Sequence, residues 1–285
     1  MNAHETEGIM LKDILVHIDG SKDCGERLNV AIGLARGHEA HLTGAYVVTR
    51  SRIPTYLETQ IPKDLIERAD AARFEAANAA RKRFEDACRK AGVSAEWRQS
   101  EGTEVEALSL SARYADLAVV SQYNPDGDAF ESGEMPDRFI MASGRPSLVV
   151  PYAGTFPKVG HTAVVAWDAS RLATRAVNDA LPILRRAAKV HLLAINPKGG
   201  AEGHGDVPGA DIGLHLARHG VKVETASLHA DDIDAGDALL SRAADFGADL
   251  IVMGAYGHAR WRELALGGMT RHMLAHMTVP VFMSH

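Results

Sequence analysis

Apolar residues along this chain form two kinds of run that alternate. Short blocks with little polar interruption, such as Ile14-Leu-Val-His-Ile18 and Leu117-Ala-Val-Val120, have the length of strands buried on both faces of a sheet. Strands are predicted in the first half at Ile14 to Ile18, His41 to Val48, a weaker Ser94 to Arg98, Leu117 to Ser121 and Ser147 to Val150. The second half repeats the series at Ala163 to Trp167, Val190 to Ile195, Lys222 to Ser227, Leu250 to Gly254 and Val281 to Met283. Between the blocks, apolar positions recur three and four apart, the spacing of a helix packed on one side: Leu28, Ala31 and Ala35; Phe74, Ala77, Phe84 and Cys88; Val105, Leu108 and Ala112. In the second half Ser170 is placed to cap a helix running through Val177, Leu181 and Leu184, where Pro182 predicts a kink or an early end. Strands alternating with helices predict a doubly wound, mostly parallel five-stranded sheet in each half, with ligands taken up beyond the carboxyl ends of the strands.

The two series are one unit written twice. Lys12-Asp-Ile-Leu-Val-His-Ile-Asp19-Gly-Ser21 aligns with His161-Thr-Ala-Val-Val-Ala-Trp-Asp168-Ala-Ser170, each an apolar strand closing on Asp-x-Ser. Ala115-Asp-Leu-Ala-Val-Val120 aligns with Ala248-Asp-Leu-Ile-Val-Met253, and Arg145-Pro-Ser-Leu-Val-Val150 with Thr278-Val-Pro-Val-Phe-Met283. Two domains are therefore expected, at 1–153 and 160–285. They differ in the second crossover: Lys63 to Gly92 reads as one long helix, whereas glycine-rich Pro197 to Pro208 precedes a short helix around Ile212 to His219. Gly203-His204-Gly205 in that stretch follows no strand directly and opens no long helix, so it reads as a linker rather than a phosphate loop.

Composition narrows the class. With 285 residues, 46% of them hydrophobic, the chain can fill a core in either half. A net charge of −6 works against nucleic acid or anionic membrane as a partner. Cys24 and Cys88 are too few and too far apart for a disulfide framework or thiolate metal site, and read as core fillers. Met1 to Leu11 lacks the apolar run of a signal peptide, and no later run is long enough to span a bilayer, so a cytoplasmic protein is expected.

The chemistry concentrates after the fourth strand of the second half, in Gly254-Ala-Tyr-Gly257-His-Ala-Arg-Trp-Arg-Glu-Leu-Ala-Leu-Gly267-Gly268-Met-Thr270. Two glycines three apart at a strand's end allow a turn whose amides face a ligand. Gly267-Gly268 opens the next helix, whose positive N-terminus offers further N–H groups to the same anion.

This G-x2-G-x9-G arrangement, with the opening strand Val164-Val-Ala-Trp-Asp168-Ala-Ser170 and the closing Val-Pro-Val strand, resembles the nucleotide-binding motif of universal stress proteins. The βα order resembles the tandem form of that family over nearly the whole chain. The resemblance implies an adenine nucleotide, ATP or else ADP or AMP, with Mg²⁺, bound in the second half by Asp168 at the ribose, Ile195 at the adenine, and Gly254, Gly257, Gly267, Gly268, Met269 and Thr270 around the phosphates. It also implies that the halves pack as an internal pseudo-dimer, leaves a homodimer of chains open, and points to a regulatory part in stress response. One departure is Gly268, where the family has Ser or Thr; a side-chain donor to phosphate is lost there. His258, Arg260, Arg262 and Arg271 lie near enough in sequence to meet phosphate oxygens, although basic side chains are more often simply solvated.

The first half lacks the loop. Ser121 and Asn124 stand where Gly254 and Gly257 would be, Gly133 keeps the third position, and Asp126, Asp128, Glu131 and Glu134 crowd the anion's place, so no ATP is expected there. Asn124, Asp126 and Asp128 alternate like the start of a calcium loop, but Ala129 replaces its glycine and the closing carboxylate is out of register, so an acidic surface loop is the better account. Two rival functions stay open: a slow ATPase, for which His258 is the only local base, and an interaction module binding no nucleotide or another small ligand. A dedicated enzyme is not expected, because nucleophile elbow, metal cluster and P-loop lysine are all missing from the sequence.

Overall fold

The computed structural model describes residues 10–49, 62–127, 135–197, 207–230, 232–256 and 268–285. The first half runs β1 (Asp13–Ile18), α1 (Cys24–His38), β2 (His41–Val48), α2 (Lys63–Ala91), β3 (Ala95–Glu101), α3 (Glu104–Ala112), β4 (Leu117–Ser121), α4 (Asp137–Ser143) and β5 (Ser147–Val150). The second runs β6 (Thr162–Ala166), α5 (Arg171–Leu184), β7 (Lys189–Ile195), α6 (Ala210–Arg218), β8 (Val223–Leu228), α7 (Ala235–Asp245), β9 (Leu250–Gly254), α8 (Gly268–His276) and β10 (Val281–Ser284).

All ten strands join one sheet in the order β3-β2-β1-β4-β5-β10-β9-β6-β7-β8. Pairing within each half is parallel, and the halves meet where β5 and β10 pair antiparallel, with Val281 opposite Val149 and Phe282 opposite Leu148. The seam is pinned from the side by Gln122, whose Nε2 donates to the Leu274 carbonyl at 2.9 Å. Strand order reverses between β1 and β4 and again between β6 and β9, which opens a crevice at the carboxyl ends of each pair.

Successive strand residues feed opposite apolar layers, as the pleat requires. Ile14, Val16 and Ile18 pack into one layer and Leu15 into the other; Ala163 and Val165 are likewise separated from Val164. The repeated Ala-Asp-Leu has a structural use in both halves. Asp116 accepts the Lys12 N–H at 2.7 Å, and Asp249 accepts the Gly160 and His161 N–H groups at 2.8 and 2.9 Å, so each carboxylate fixes where the neighbouring strand begins.

The sequence expectations need four adjustments. The strand expected at Ser94 to Arg98 extends to Glu101, paired along β2 up to Val48. Trp167 lies just beyond β6. Phe74, expected on the buried stripe of its helix, is 65% exposed, because α2 buries only Ala77, Ala80, Phe84 and Cys88 and its first turns extend past the layer they would cover. Pro182 lies inside α5, which runs on to Leu184, the last core position expected of it, so the helix does not end early. Cys24 and Cys88 are free and buried. The glycine-rich Gly203-His204-Gly205 and the N-terminal residues 1–9 lie outside the described residues.

Candidate functional site

In the second half, β6 releases the chain at Ala166 and a tight turn carries it into α5. Asp168 Oδ1 accepts the Ser170 N–H at 3.0 Å, and Ser170 Oγ accepts the Ala173 N–H at 3.1 Å, the cap that the sequence predicts. The turn requires Ala169 at φ 59°, the left-handed region that costs a residue with a Cβ. Asn196 at φ 48° follows β7 and Tyr256 at φ 62° follows β9. Three strained residues thus surround one crevice, a clustering that marks functional sites.

The end of β9 presses directly on the start of α5. A Cβ at Gly254 would stand 2.7 Å from both Ala173 N and the Leu172 carbonyl carbon, so glycine is demanded there by backbone packing whether or not a ligand approaches. Two residues on, Tyr256 donates its N–H to Thr270 Oγ1 at 3.0 Å, which ties the loop leaving β9 to the first turn of α8. Thr270 is buried, and its hydroxyl oxygen accepts this bond. Gly268 is different: a Cβ there would meet nothing within 4 Å.

These elements enclose a cavity of about 290 Å³, near the lower end of the ~300–1,000 Å³ typical of small-molecule sites. Asp168, Ile195, Gly254, Gly268, Met269 and Thr270 all line it. Gly257 and Gly267 lie outside the described residues, as do His258, Arg260 and Arg262. Arg271 is exposed on α8, next to Thr270. Sequence reasoning missed Trp167, Leu172, Ala173, Leu193, Ala235 and Met253 in the lining. Leu193 was accessible from Ile195, because residues two apart on a strand share a face. The cavity therefore offers an exposed carboxylate on one side, an apolar floor of Leu193, Ile195 and Met253, and on another side Gly268, Met269 and Thr270 of α8. A flat, weakly polar group bearing hydroxyls and an anionic tail suits that distribution.

The corresponding place in the first half is closed from within. Arg27 on α1 is 1% exposed; its Nη2 pairs with Asp19 Oδ2 at 2.8 Å and its Nη1 donates to Ser121 Oγ. His17, also buried, has Nε2 at 3.0 Å from Glu104 Oε1 and Nδ1 at 3.7 Å from Asp19 Oδ2. Ser21 adds hydrogen bonds from its N–H and Oγ to Asp19 Oδ1. Burial pushes the Asp19 carboxyl upward, but the charges of Arg27 and His17 and the Ser21 hydrogen bond outweigh it and hold the group below the ordinary carboxylate range. Burial likewise opposes ionisation of Glu104, and its His17 contact prevails to lower it. Only about 40 Å³ remains open between these residues. Asn124 donates to Asp23 and accepts the Asp126 N–H; Asp128, Glu131, Gly133 and Glu134 lie outside the described residues.

A wider groove of about 670 Å³ runs between α1 and residues 155–161. No strand end opens into it. His38, lining it, is pulled down to about 4 by burial and by the charge of Arg186, which makes it a neutral core imidazole at pH 7.

Two doubly wound units sharing one sheet, each with a crevice at its strand reversal, define a tandem Rossmann-like α/β protein. The sequence pattern of the universal stress protein family matches residues 161–285, so the second half is a domain similar to that family's. Its architecture is similar to that of a universal stress protein from Archaeoglobus fulgidus DSM 4304, at 15% identity and a TM-score of 0.73, with 95% of each chain covered. It is also similar to a functionally unknown protein from Pseudomonas aeruginosa PAO1, at 14% identity and a TM-score of 0.57, covering 96% of this chain and 92% of that one. A universal stress protein in complex with cAMP is 22% identical over 51% of this chain and 100% of its own, with a TM-score of 0.37. Among curated proteins, none matches. Among the described residues, no helix is long and apolar enough to cross a membrane.

Proposed function

We propose that the second half binds an adenine nucleotide and that the first half does not, the occupied state serving a regulatory role in stress response within the cytoplasm. One observation carries the reading: a single cavity unites Asp168, the apolar floor at Ile195, and the glycine-framed start of α8. The Asp168 carboxylate is an acceptor for the two ribose hydroxyls. Leu193, Ile195 and Met253 present an apolar face to the base. The N–H groups of Gly268, Met269 and Thr270, in the N-terminal part of α8 as described, would stabilise phosphate oxygens there. Mg²⁺ would accompany the polyphosphate and offset part of its charge. The family's 161–285 pattern covers this half and stops short of the first, in keeping with a single working site.

Calorimetric titration of the full chain with Mg²⁺-ATP, ADP, AMP and cAMP tests the reading. One equivalent of saturable binding is expected. Gly268→Glu has room for its Cβ, so it should fold normally while placing a carboxylate among the phosphate donors and weakening ATP at least tenfold. Asp168→Asn keeps an acceptor for the Ser170 N–H but removes the charge, and should weaken all adenosine ligands alike. Absence of binding by all four would discard the nucleotide site and favour an interaction module. Steady release of phosphate from ATP would instead favour the slow ATPase.

A further inference from the structure

We propose that Asp234, Asp237 and His272 form a binding site for one divalent transition-metal ion of the zinc class, beside the nucleotide cavity but built from side chains that do not line it. The three side chains come from two elements: the aspartates stand at the cap and in the first turn of α7, and the histidine projects from α8. His272 Nε2 lies 2.9 Å from Asp237 Oδ1, and its Nδ1 lies 3.7 Å from Asp234 Oδ1. One donor atom from each residue fits within a 4.8 Å set. Zinc bonds to imidazole nitrogen and carboxylate oxygen are about 2.0–2.2 Å, so tetrahedrally arranged donors of one ion stand about 3.4 Å apart. The most widely spaced donors must approach by up to about 1.4 Å, which rotation of the exposed aspartate side chains can supply.

The imidazole is seated by the backbone beneath it. Gly236 lies between the two aspartates, and a Cβ there would come within 2.3 Å of His272 Cδ2, so only glycine lets the ring rest on the start of α7. A second imidazole, His276, stands one turn along α8 with its ring centroid 4.6 Å away and limits the ring's freedom on the other side. A neutral imidazole carries one N–H and can satisfy one of the two carboxylates that face it; the other meets a lone pair. A cation shared by the ring and both carboxylates removes that conflict. Nitrogen plus oxygen donors suit Zn²⁺, Co²⁺ or Ni²⁺, whereas Mg²⁺ and Ca²⁺ favour all-oxygen shells. Water completes the coordination, since both aspartates are largely exposed.

The test uses the untagged full chain without nucleotide. Co²⁺ is titrated while its visible absorption is followed, and Zn²⁺ is then added as a competitor. One equivalent of Co²⁺ should bind with a displaceable absorption band. His272→Ala, Asp237→Asn and Asp234→Asn should each weaken that equivalent at least tenfold. Asn caps a helix about as well as Asp, so Asp234→Asn removes a metal charge while retaining the bond from the Gly236 N–H. Metal-free melting curves matching the parent confirm that the variants are folded. Wild-type Co²⁺ affinity in any of the three, or no saturable binding by the parent, overturns the site and leaves His272 as an ion-paired histidine between two aspartates.

Discussion

The ends of β1 and β6 are the same place built twice, and three positions separate them. Asp19 is surrounded by His17, Arg27 and Ser121. In the aligned segments of the repeat, Asp168 has Ala166, Ala176 and Gly254 at the matching positions. Where the polar trio is present, it spends the carboxylate internally and leaves about 40 Å³; where small residues replace it, the carboxylate is exposed beside about 290 Å³. A strand-end cavity can thus be closed without altering the sheet, by giving the strand-end Asp a partner from its own chain. The sequence suggested that the first half lost its site through its loop, and the structure adds that Arg27 fills the space behind it.

The largest expected effect comes from breaking this contrast at its centre. Arg27→Ala leaves Asp19 buried without its guanidinium and should destabilise the chain by about 3–5 kcal/mol in urea unfolding at pH 7. The sign of the pH dependence follows from the lowered Asp19 value. A group whose value is depressed on folding contributes its full stabilisation above the unfolded value, ~3.9 for Asp, and loses it as pH falls through the lower folded one. The difference between parent and variant should accordingly narrow in acid below about pH 4, and a difference that widened there would contradict the pairing. Next in size is Gly254→Val. Its branched side chain must displace the start of α5, at a cost of about 1–3 kcal/mol in the same assay, with the cavity narrowed. A change near zero would mean that β9 and α5 separate easily.

The smallest contrast lies in the caps. Ser170 makes a side-chain bond to α5, whereas Asp23 makes none to α1. Ser170→Ala should cost about 1 kcal/mol and Asp23→Ala within about 0.5 kcal/mol. Equal losses would show that the hydrogen-bond geometry does not distinguish the two starts.

Much of this arrangement could be read in the sequence. Strand-length apolar blocks located β2, β4, β5 and β9 to the residue, because strands buried on both faces tolerate few polar positions. Asp168, Ile195 and Gly254 were named through the resemblance to the universal stress protein motif, at or just beyond strand ends, where the strands of a doubly wound sheet converge. Arg27 was missed, yet a signal existed: Arg27, Ala31 and Ala35 are four apart, so a charge sat on the stripe marked as core. The spacing showed that it was buried; its partner Ser121 lay 94 residues away and could be known only from the fold. Phe74 failed for the converse reason, since periodicity shows that a face is apolar and says nothing about whether another layer reaches it. Gly254 was read as a phosphate residue, and the crowding by Ala173 and Leu172 that also demands glycine depends on a crossing no local pattern encodes.

The antiparallel junction of β5 and β10 bears on how such a chain can change. In a twofold assembly of identical copies, every substitution is inherited at both symmetry-related places, so a mutation that introduced an arginine beside the strand-end aspartate would shut both crevices together. Here the two sides of the junction are encoded separately and joined through one continuous backbone. Each crevice can therefore diverge while the other is preserved, and every folded molecule carries one of each in a fixed one-to-one ratio, whatever its concentration.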